Sequence, residues 1–479
     1  MTGFTRRQFG KTAAAAAALS QVSLPRLSFG QFPSGDLAYP PGFMWGCATA
    51  SYQIEGAVHE DGRKPSVWDV FAHTPGKIFE GQTGDVADDS YHLYKTDVQL
   101  LRDLGVQAYR MSIAWPRIFP DGTGEPNPKG LDYYKRLVDE LLANNITPYI
   151  TLFHWDLPAA LPDGWQSRDT PKAFAAYAAY VTKHLSDRVH HFMTTNEFVC
   201  FTDLGYRSGR FAPGLKLPNP EANQVRHHGI LAHGLGVQAI RDSAVGPVRV
   251  GLAENANVYV PVIETPEHIE AARRATRNEN APFLTAVMEG RYIESYLERE
   301  GSEAPRVQPG DMEAIASRLD FVGLNVYTPS YVRAANTPKG YEILPYPASY
   351  PHMASDWIYL GPESIYWAVR NVCDLWHPAG IYITENGCSS DDVPTSDGRI
   401  EDIDRLMYLR NHLTQLHRAA AESYPVKGYF LWSLLDNFEW DEGYSKRFGI
   451  HYVDFTTLSR APKLTAEWYK TVIAHNAVV

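Results

Sequence analysis

The stretch Leu131-Asp132-Tyr133-Tyr134-Lys135-Arg136-Leu137-Val138-Asp139-Glu140-Leu141-Leu142 and, after four intervening residues, Thr147-Pro148-Tyr149-Ile150-Thr151-Leu152-Phe153 decides how this chain is read. In its first half Leu131, Tyr134, Leu137, Val138, Leu141 and Leu142 recur at helical spacing and form one buried stripe. Its second half is short and almost continuously apolar, as expected of a parallel strand covered on both faces. A one-sided helix next to a two-sided strand is the repeating unit of an α/β protein.

Runs of the same character lie on either side, at Phe43–Ser51, Val106–Ile113, His190–Glu197, Val248–Asn255, Asp320–Thr328, Gly380–Gly387 and Lys427–Asp436, which with Thr147–Phe153 makes eight. No Gly/Ser linker, low-complexity tract or charge block divides them. The pattern predicts a single (β/α)8 TIM barrel whose loops are enlarged at the C-terminal face, the longest being 256–319 and 329–379. Two smaller α/β domains are the alternative division of this length.

The 479 residues carry 44 Lys+Arg against 55 Asp+Glu, a net charge of −11, which disfavours nucleic acid and anionic membrane surfaces as partners. Aromatic residues make up 12% of the chain, with 11 Trp and 28 Tyr, and flat amphipathic rings suit the apolar faces of sugars. Cys47, Cys200, Cys373 and Cys388 stand far apart with no metal-ligand spacing, so they read as free thiols and no metal site is expected.

At the N-terminus Thr5-Arg6-Arg7-Gln8-Phe9-Gly10-Lys11 precedes an Ala-rich run from Thr12 to Leu24, the order of an export signal. The run is too short to anchor stably in a bilayer. The arginine pair followed by Phe9 is similar to twin-arginine signals, which makes the export machinery a partner and the protein periplasmic or secreted. Residues 1–35 are read as signal and spacer and 36–479 as the catalytic barrel. Arg6, Arg7, Lys11 and Arg26 are the charges of residues 1–30, so their removal takes the net charge from −11 to −15.

Nearly every strand-like run ends in polar or aromatic residues: Thr195-Asn196-Glu197 on the fourth, Thr384-Glu385-Asn386-Gly387 on the seventh, His154-Trp155-Asp156 after the third, Asn325-Val326-Tyr327 on the sixth. Strands four and seven face each other across a barrel mouth, which sets Glu197 against Glu385. Glycoside cleavage uses two carboxyl groups in opposite protonation states, one giving a proton to the leaving oxygen and one attacking the anomeric carbon. Arg110, Tyr327 and Asn325 are candidates to support the charged partner. Glu385 is then the nucleophile, and its charge keeps Glu197 protonated as the acid/base.

From about Phe43 to Lys463 these residues resemble family 1 glycoside hydrolases, the β-glucosidase family. The resemblance rests on Phe43–Gly46, Ser51–Gly56, Phe153–Pro158, Thr195–Glu197, Ile383–Gly387 and Trp432–Trp440. It implies the same roles for Glu197 and Glu385 and no cofactor. It implies a glycone pocket in which Gln53, His154, Asn196, Glu439 and Trp440 bind sugar hydroxyls while Trp432 lies against the ring; Trp155 and Phe448 are read as pocket walls. Trp357 and Phe198 are aglycone candidates, Phe198 standing where the family usually has Pro. Glu439 lies where a phosphorylated sugar would bring its phosphate, so the sugar is expected unphosphorylated. The implied activity is that of a retaining exo-β-glucosidase acting by double displacement on small-molecule β-glucosides or oligosaccharides, cellobiose-like or aryl. A β-galactosidase or β-fucosidase of broad glycone specificity and a non-catalytic carbohydrate-binding barrel are the alternatives.

Overall fold

In this computed structural model, which describes residues 37–479, the eight runs become eight parallel strands. They are β1 (Met44–Ala48), β2 (Ala108–Ser112), β3 (Thr147–Phe153), β4 (His191–Asn196), β5 (Arg249–Glu254), β6 (Val322–Asn325), β7 (Ile381–Asn386) and β8 (Val426–Trp432). Each pairs with its sequence neighbours and β8 pairs with β1, which closes the barrel. The reading of the N-terminal segment as an export signal lies outside the described residues.

The decisive stretch folds as read: a helix spans Pro128–Ala143, with Pro at its start where the missing N–H costs no bond, and β3 follows with the expected bounds. One detail differs. Leu142, in the helix's last turn, is exposed, whereas Tyr133 is buried and packs its ring 4.4 Å from that of Tyr91 on the helix Ser90–Leu104. The other strands are trimmed at their ends. The residues cut away, such as Glu197, Tyr327 and Gly387, lie at the barrel's mouth.

Aromatic side chains fill the barrel's interior below that mouth. Tyr149 stacks on His191 at 4.1 Å and lies 4.9 Å from Phe430 and 5.6 Å from Tyr382, drawing on β3, β4, β8 and β7. Burying a ring of this size contributes about 1.5–3 kcal/mol over leaving it exposed. Such a plug leaves no room at Gly46 on β1, where a Cβ would stand 2.5 Å from the Phe430 ring.

The long connections after β5 and β6 build structure of their own. Strands Tyr259–Pro261 and Ser330–Ala334 pair in parallel and Tyr341–Ile343 adds antiparallel, a three-stranded sheet that ties the two insertions together. Among the described residues no helix is long and apolar enough to cross a membrane. The four cysteines are buried free thiols.

Candidate active site

The strand ends meet as their sequence suggested, and the ladder is irregular where they do. The β4–β5 register shifts between Met193 and Asn196, and the β6–β7 register shifts between Ile383 and Glu385. Such irregularities re-aim side chains, and here each falls just before one of the two glutamates. Backbone strain gathers at the same level: Trp155, Glu197 and Trp440 have φ of 78°, 51° and 49°. For a side-chain-bearing residue this costs about 1–3 kcal/mol and persists only where the surroundings enforce it.

Glu385 ends β7 with both carboxylate oxygens engaged. The Arg110 guanidinium, buried on β2, donates to Oε1 at 2.5 Å, and the Tyr327 hydroxyl donates to Oε2 at 2.7 Å. Arg110 is itself held on every side, donating to Thr151 Oγ1 at 3.1 Å, to the Thr384 carbonyl at 3.0 Å and to Asn196 Oδ1 at 2.6 Å. The Tyr327 backbone is tied down in turn, its carbonyl accepting from the Tyr408 hydroxyl at 2.6 Å.

Glu197 has a different environment. Its oxygens accept from Asn325 Nδ2 at 2.7 Å and from the Cys200 thiol at 3.1 Å, both neutral donors. Burial, and then the nearby charge of Glu385, push its carboxyl up to about 7, with the two donors and Arg110 only partly opposing. Asn325 also donates to Asn196 Oδ1 at 3.0 Å and accepts from Thr384 Oγ1 at 2.7 Å. Glu385, Arg110, Asn196, Asn325 and Glu197 therefore form one hydrogen-bonded arc.

Above the arc opens a cavity of about 320 Å³, lined by both glutamates and by His154, Trp155, Tyr327, Trp357, Trp432, Glu439, Trp440 and Phe448. Gln53 and Asn196, both fully buried, are bonded to residues of this lining. Gln53 donates through Nε2 to Asn437 Oδ1, to the Phe438 carbonyl and to Glu439 Oε2, at 3.0, 2.9 and 3.3 Å, while its own Oε1 is buried without a partner. His154 pairs its Nε2 with Asn196 Nδ2 at 3.1 Å, and its Nδ1 is also buried and unpartnered. Burial and Arg110 hold the imidazole well below its usual range, so it is neutral and Nδ1 carries the hydrogen. A buried acceptor and a buried donor left unpaired are the groups that a ligand hydroxyl satisfies. His154 and Trp432 lie nearly parallel at 5.8 Å, and Trp155 and Trp440 approach to 4.3 Å, so the cavity has flat apolar walls as well as polar points. Among the described residues no cluster of side chains is arranged to hold a metal ion.

Phe198 is not where the aglycone reading puts it. Its ring is fully buried outside the cavity and lies parallel to Phe283 at 5.7 Å, with Phe201 and His233 at its edges. The chain turns into a helix directly after Glu197, which swings the next side chain away from the mouth. Trp357 does line the cavity, with its ring 5.4 Å from Tyr327. Several site residues escape the sequence reading, among them Arg210, Phe211, Asn255 and Glu442 on the cavity wall, and Cys200 and Asn437. Cys200 stands three positions after Glu197, a spacing that shares one helix face, and Asn437 follows Asp436 in the loop beyond β8.

A buried carboxyl pair in unequal environments beneath an aromatic-walled pocket can transfer a glycosyl group, and comparison with known proteins agrees. Residues 36–478 match the model of glycosyl hydrolase family 1. The chain is 43% identical over 444 residues to a 1,4-beta-D-glucan glucohydrolase of Thermotoga neapolitana, covering 92% of this chain and 99% of that one. It is 40% identical over 465 residues to a bifunctional beta-D-glucosidase/beta-D-fucosidase of Bifidobacterium breve, covering 92% and 99%. A solved beta-glucosidase of Thermotoga maritima in complex with glucoimidazole superposes with a TM-score of 0.85 at 41% identity, covering 92% and 99%. The chain belongs to glycosyl hydrolase family 1.

Proposed function

We propose that this protein is a retaining, exo-acting β-glucosidase that releases unphosphorylated terminal glucosyl units from cellobiose-like or aryl β-glucosides, with Glu385 as nucleophile and Glu197 as acid/base. The observation that carries the reading is the inequality of the two carboxyls. Glu385 accepts from a buried guanidinium and a phenol, whereas Glu197 accepts only from neutral donors and is pushed up to about 7.

In the first step Glu385 bonds the anomeric carbon as the bond to the aglycone oxygen breaks, and the proton of Glu197 passes to that oxygen. The glycosyl ester has no charge on Glu385, so the repulsion that kept Glu197 protonated is gone. Glu197 then takes a proton from water, whose oxygen displaces Glu385 at the anomeric carbon. Gln53 and Glu439 meet the 4- and 6-hydroxyls, and Asn196 the 2-hydroxyl, in this reading. A carboxyl at Glu439 on the cavity wall, where a phosphate would need cations, supports a neutral sugar. Trp357 supports the aglycone side.

Proton NMR of the first-formed sugar tests the mechanism. β-Glucose appearing before mutarotation is expected, and α-glucose would overturn it. Rates on nitrophenyl β-glucoside, β-galactoside and β-fucoside test the glycone, and a galactoside or fucoside advantage would reverse the ranking.

Export through a twin-arginine route to the periplasm or beyond is part of the proposal, supported by Arg6-Arg7-Gln8-Phe9 and by a family match that begins at residue 36. Replacing Arg6 and Arg7 by Lys is expected to leave activity inside cells that otherwise export it; unchanged export would refute this part.

A further inference from the structure

Glu197 sits in a left-handed backbone conformation, and something must hold it there. The end of β5 does so from both sides. The Glu197 N–H donates to the Ala253 carbonyl at 2.8 Å, and the next N–H along, that of Phe198, donates to Glu254 Oε2 at 3.0 Å. Phe198 is the first helical residue after β4, so its N–H belongs to the donors that a helix start leaves without a backbone partner. Glu254 is 2% exposed and does not line the cavity above the arc. Its carboxyl is raised to about 8 by burial, with Glu197 adding to the rise, and the Phe198 N–H is the influence that favours its charge. A buried carboxyl needs a hydrogen-bond partner, and the Phe198 N–H is one.

We propose that Glu254 is a positioning residue for the acid/base, its carboxyl gripping the Phe198 N–H so that the turn presents Glu197 to the leaving oxygen. The grip depends on the residue that departs from the family's usual pattern, because a proline at 198 would have no N–H to give. Phe198 thus affects the site through its backbone, and its ring serves packing. The inference rests on the proposed role of Glu197, and its test separates the two.

The test compares kcat/KM on cellobiose, whose departure needs a proton, with kcat/KM on dinitrophenyl β-glucoside, whose departure needs little. Glu254→Leu is expected to lose about tenfold or more on cellobiose while the dinitrophenyl substrate stays within about twofold, since small misplacements of a catalytic group are costly. Glu254→Gln keeps an acceptor oxygen and should restore cellobiose activity to within about twofold of wild type. Phe198→Pro removes the donor and should reproduce the Glu254→Leu loss, and the double variant should be no worse than Phe198→Pro alone. Equal losses on both substrates, or additive losses in the double variant, would overturn the proposal. Should Glu254→Leu fail to fold, Glu254→Gln and Phe198→Pro still decide it: a Gln variant as impaired on cellobiose as the Pro variant, or a Pro variant with full cellobiose activity, refutes the grip. Glu197→Ala is the control. If it shows no leaving-group dependence, the assignment of Glu197 itself fails; if it does and the Glu254 variants do not, only this inference fails.

Discussion

Two buried charge clusters in this molecule are composed differently. Behind the loop that follows β8, Arg405 pairs with Asp392 at 2.6 Å and with Asp402, Lys463 bonds Asp436 at 2.6 Å and also meets Asp392, and Arg447 bonds Asp436 at 2.6 Å. Three cations face three carboxylates there. In the catalytic arc one guanidinium, Arg110, stands against Glu197 and Glu385, with Glu439 close by. In the balanced cluster Arg405 and Lys463 prevail over burial at Asp392 and draw it below the ordinary carboxylate range, while at Asp402 burial outweighs Arg405 and the carboxyl is raised. The unbalanced one leaves Glu197 raised to about 7 and Glu439 well above its usual value, burial being the first cause in each. A complete set of partners fixes structure, whereas a shortage of cations keeps a proton where catalysis can use it.

Substitution separates the two clusters most sharply. Glu385→Gln removes the nucleophile, so kcat on all glucosides should fall by at least about a thousandfold while the thermal melt still shows a cooperative fold. Near-normal turnover would end the assignment. Lys463→Met strands Asp392 and Asp436 without one of their cations. The expected loss is about 3–5 kcal/mol of stability, read as a lower Tm, with kcat of the folded enzyme little changed. If Lys463→Met left Tm intact but stopped turnover, the contrast between the clusters would be wrong.

Much of this was legible in the residues, and the gaps follow a rule. The bounds of β3 and the facing glutamates on β4 and β7 were readable because strand periodicity and strand-end polarity are local signals. The balanced cluster was not, since Asp392, the neighbours Asp402 and Arg405, Asp436 and Lys463 lie apart along the chain and folding brings them together. The sheet formed by Tyr259–Pro261, Ser330–Ala334 and Tyr341–Ile343 was missed for the same reason. Phe198 was misplaced because the direction of a side chain after a left-handed residue does not follow from its neighbours' types. Cys200 was readable in principle from its spacing, but nothing in the sequence says which face of that helix meets the carboxyl.

The unbalanced arc also predicts a pH profile. Glu197 must carry a proton to act as the acid, so kcat/KM should fall as pH rises through about 7. The sign carries over to stability. A carboxyl raised in the folded state favours folding fully below the ordinary carboxyl range, and that contribution declines as pH rises through about 7, so Glu197→Gln should flatten stability across this window. In Glu385→Gln, with the neighbouring charge gone, a carbon-13 titration should find Glu197 lower than in the parent; no movement would mean that burial alone sets it.

A single weak donor also acts on the acid/base. The Cys200 thiol donates to Glu197 Oε2 and so favours the charged form, in the same direction as Asn325 and against burial. Cys200→Ala takes that donor away and should shift the basic limb of kcat/KM upward by a few tenths of a pH unit, since a thiol is a weak donor. That is opposite in direction to the Glu385→Gln shift. A downward movement in Cys200→Ala would show that the thiol acts on Glu197 by excluding water and not by donating to it, because opening the site to solvent stabilises the charged carboxylate more than the lost hydrogen bond destabilises it.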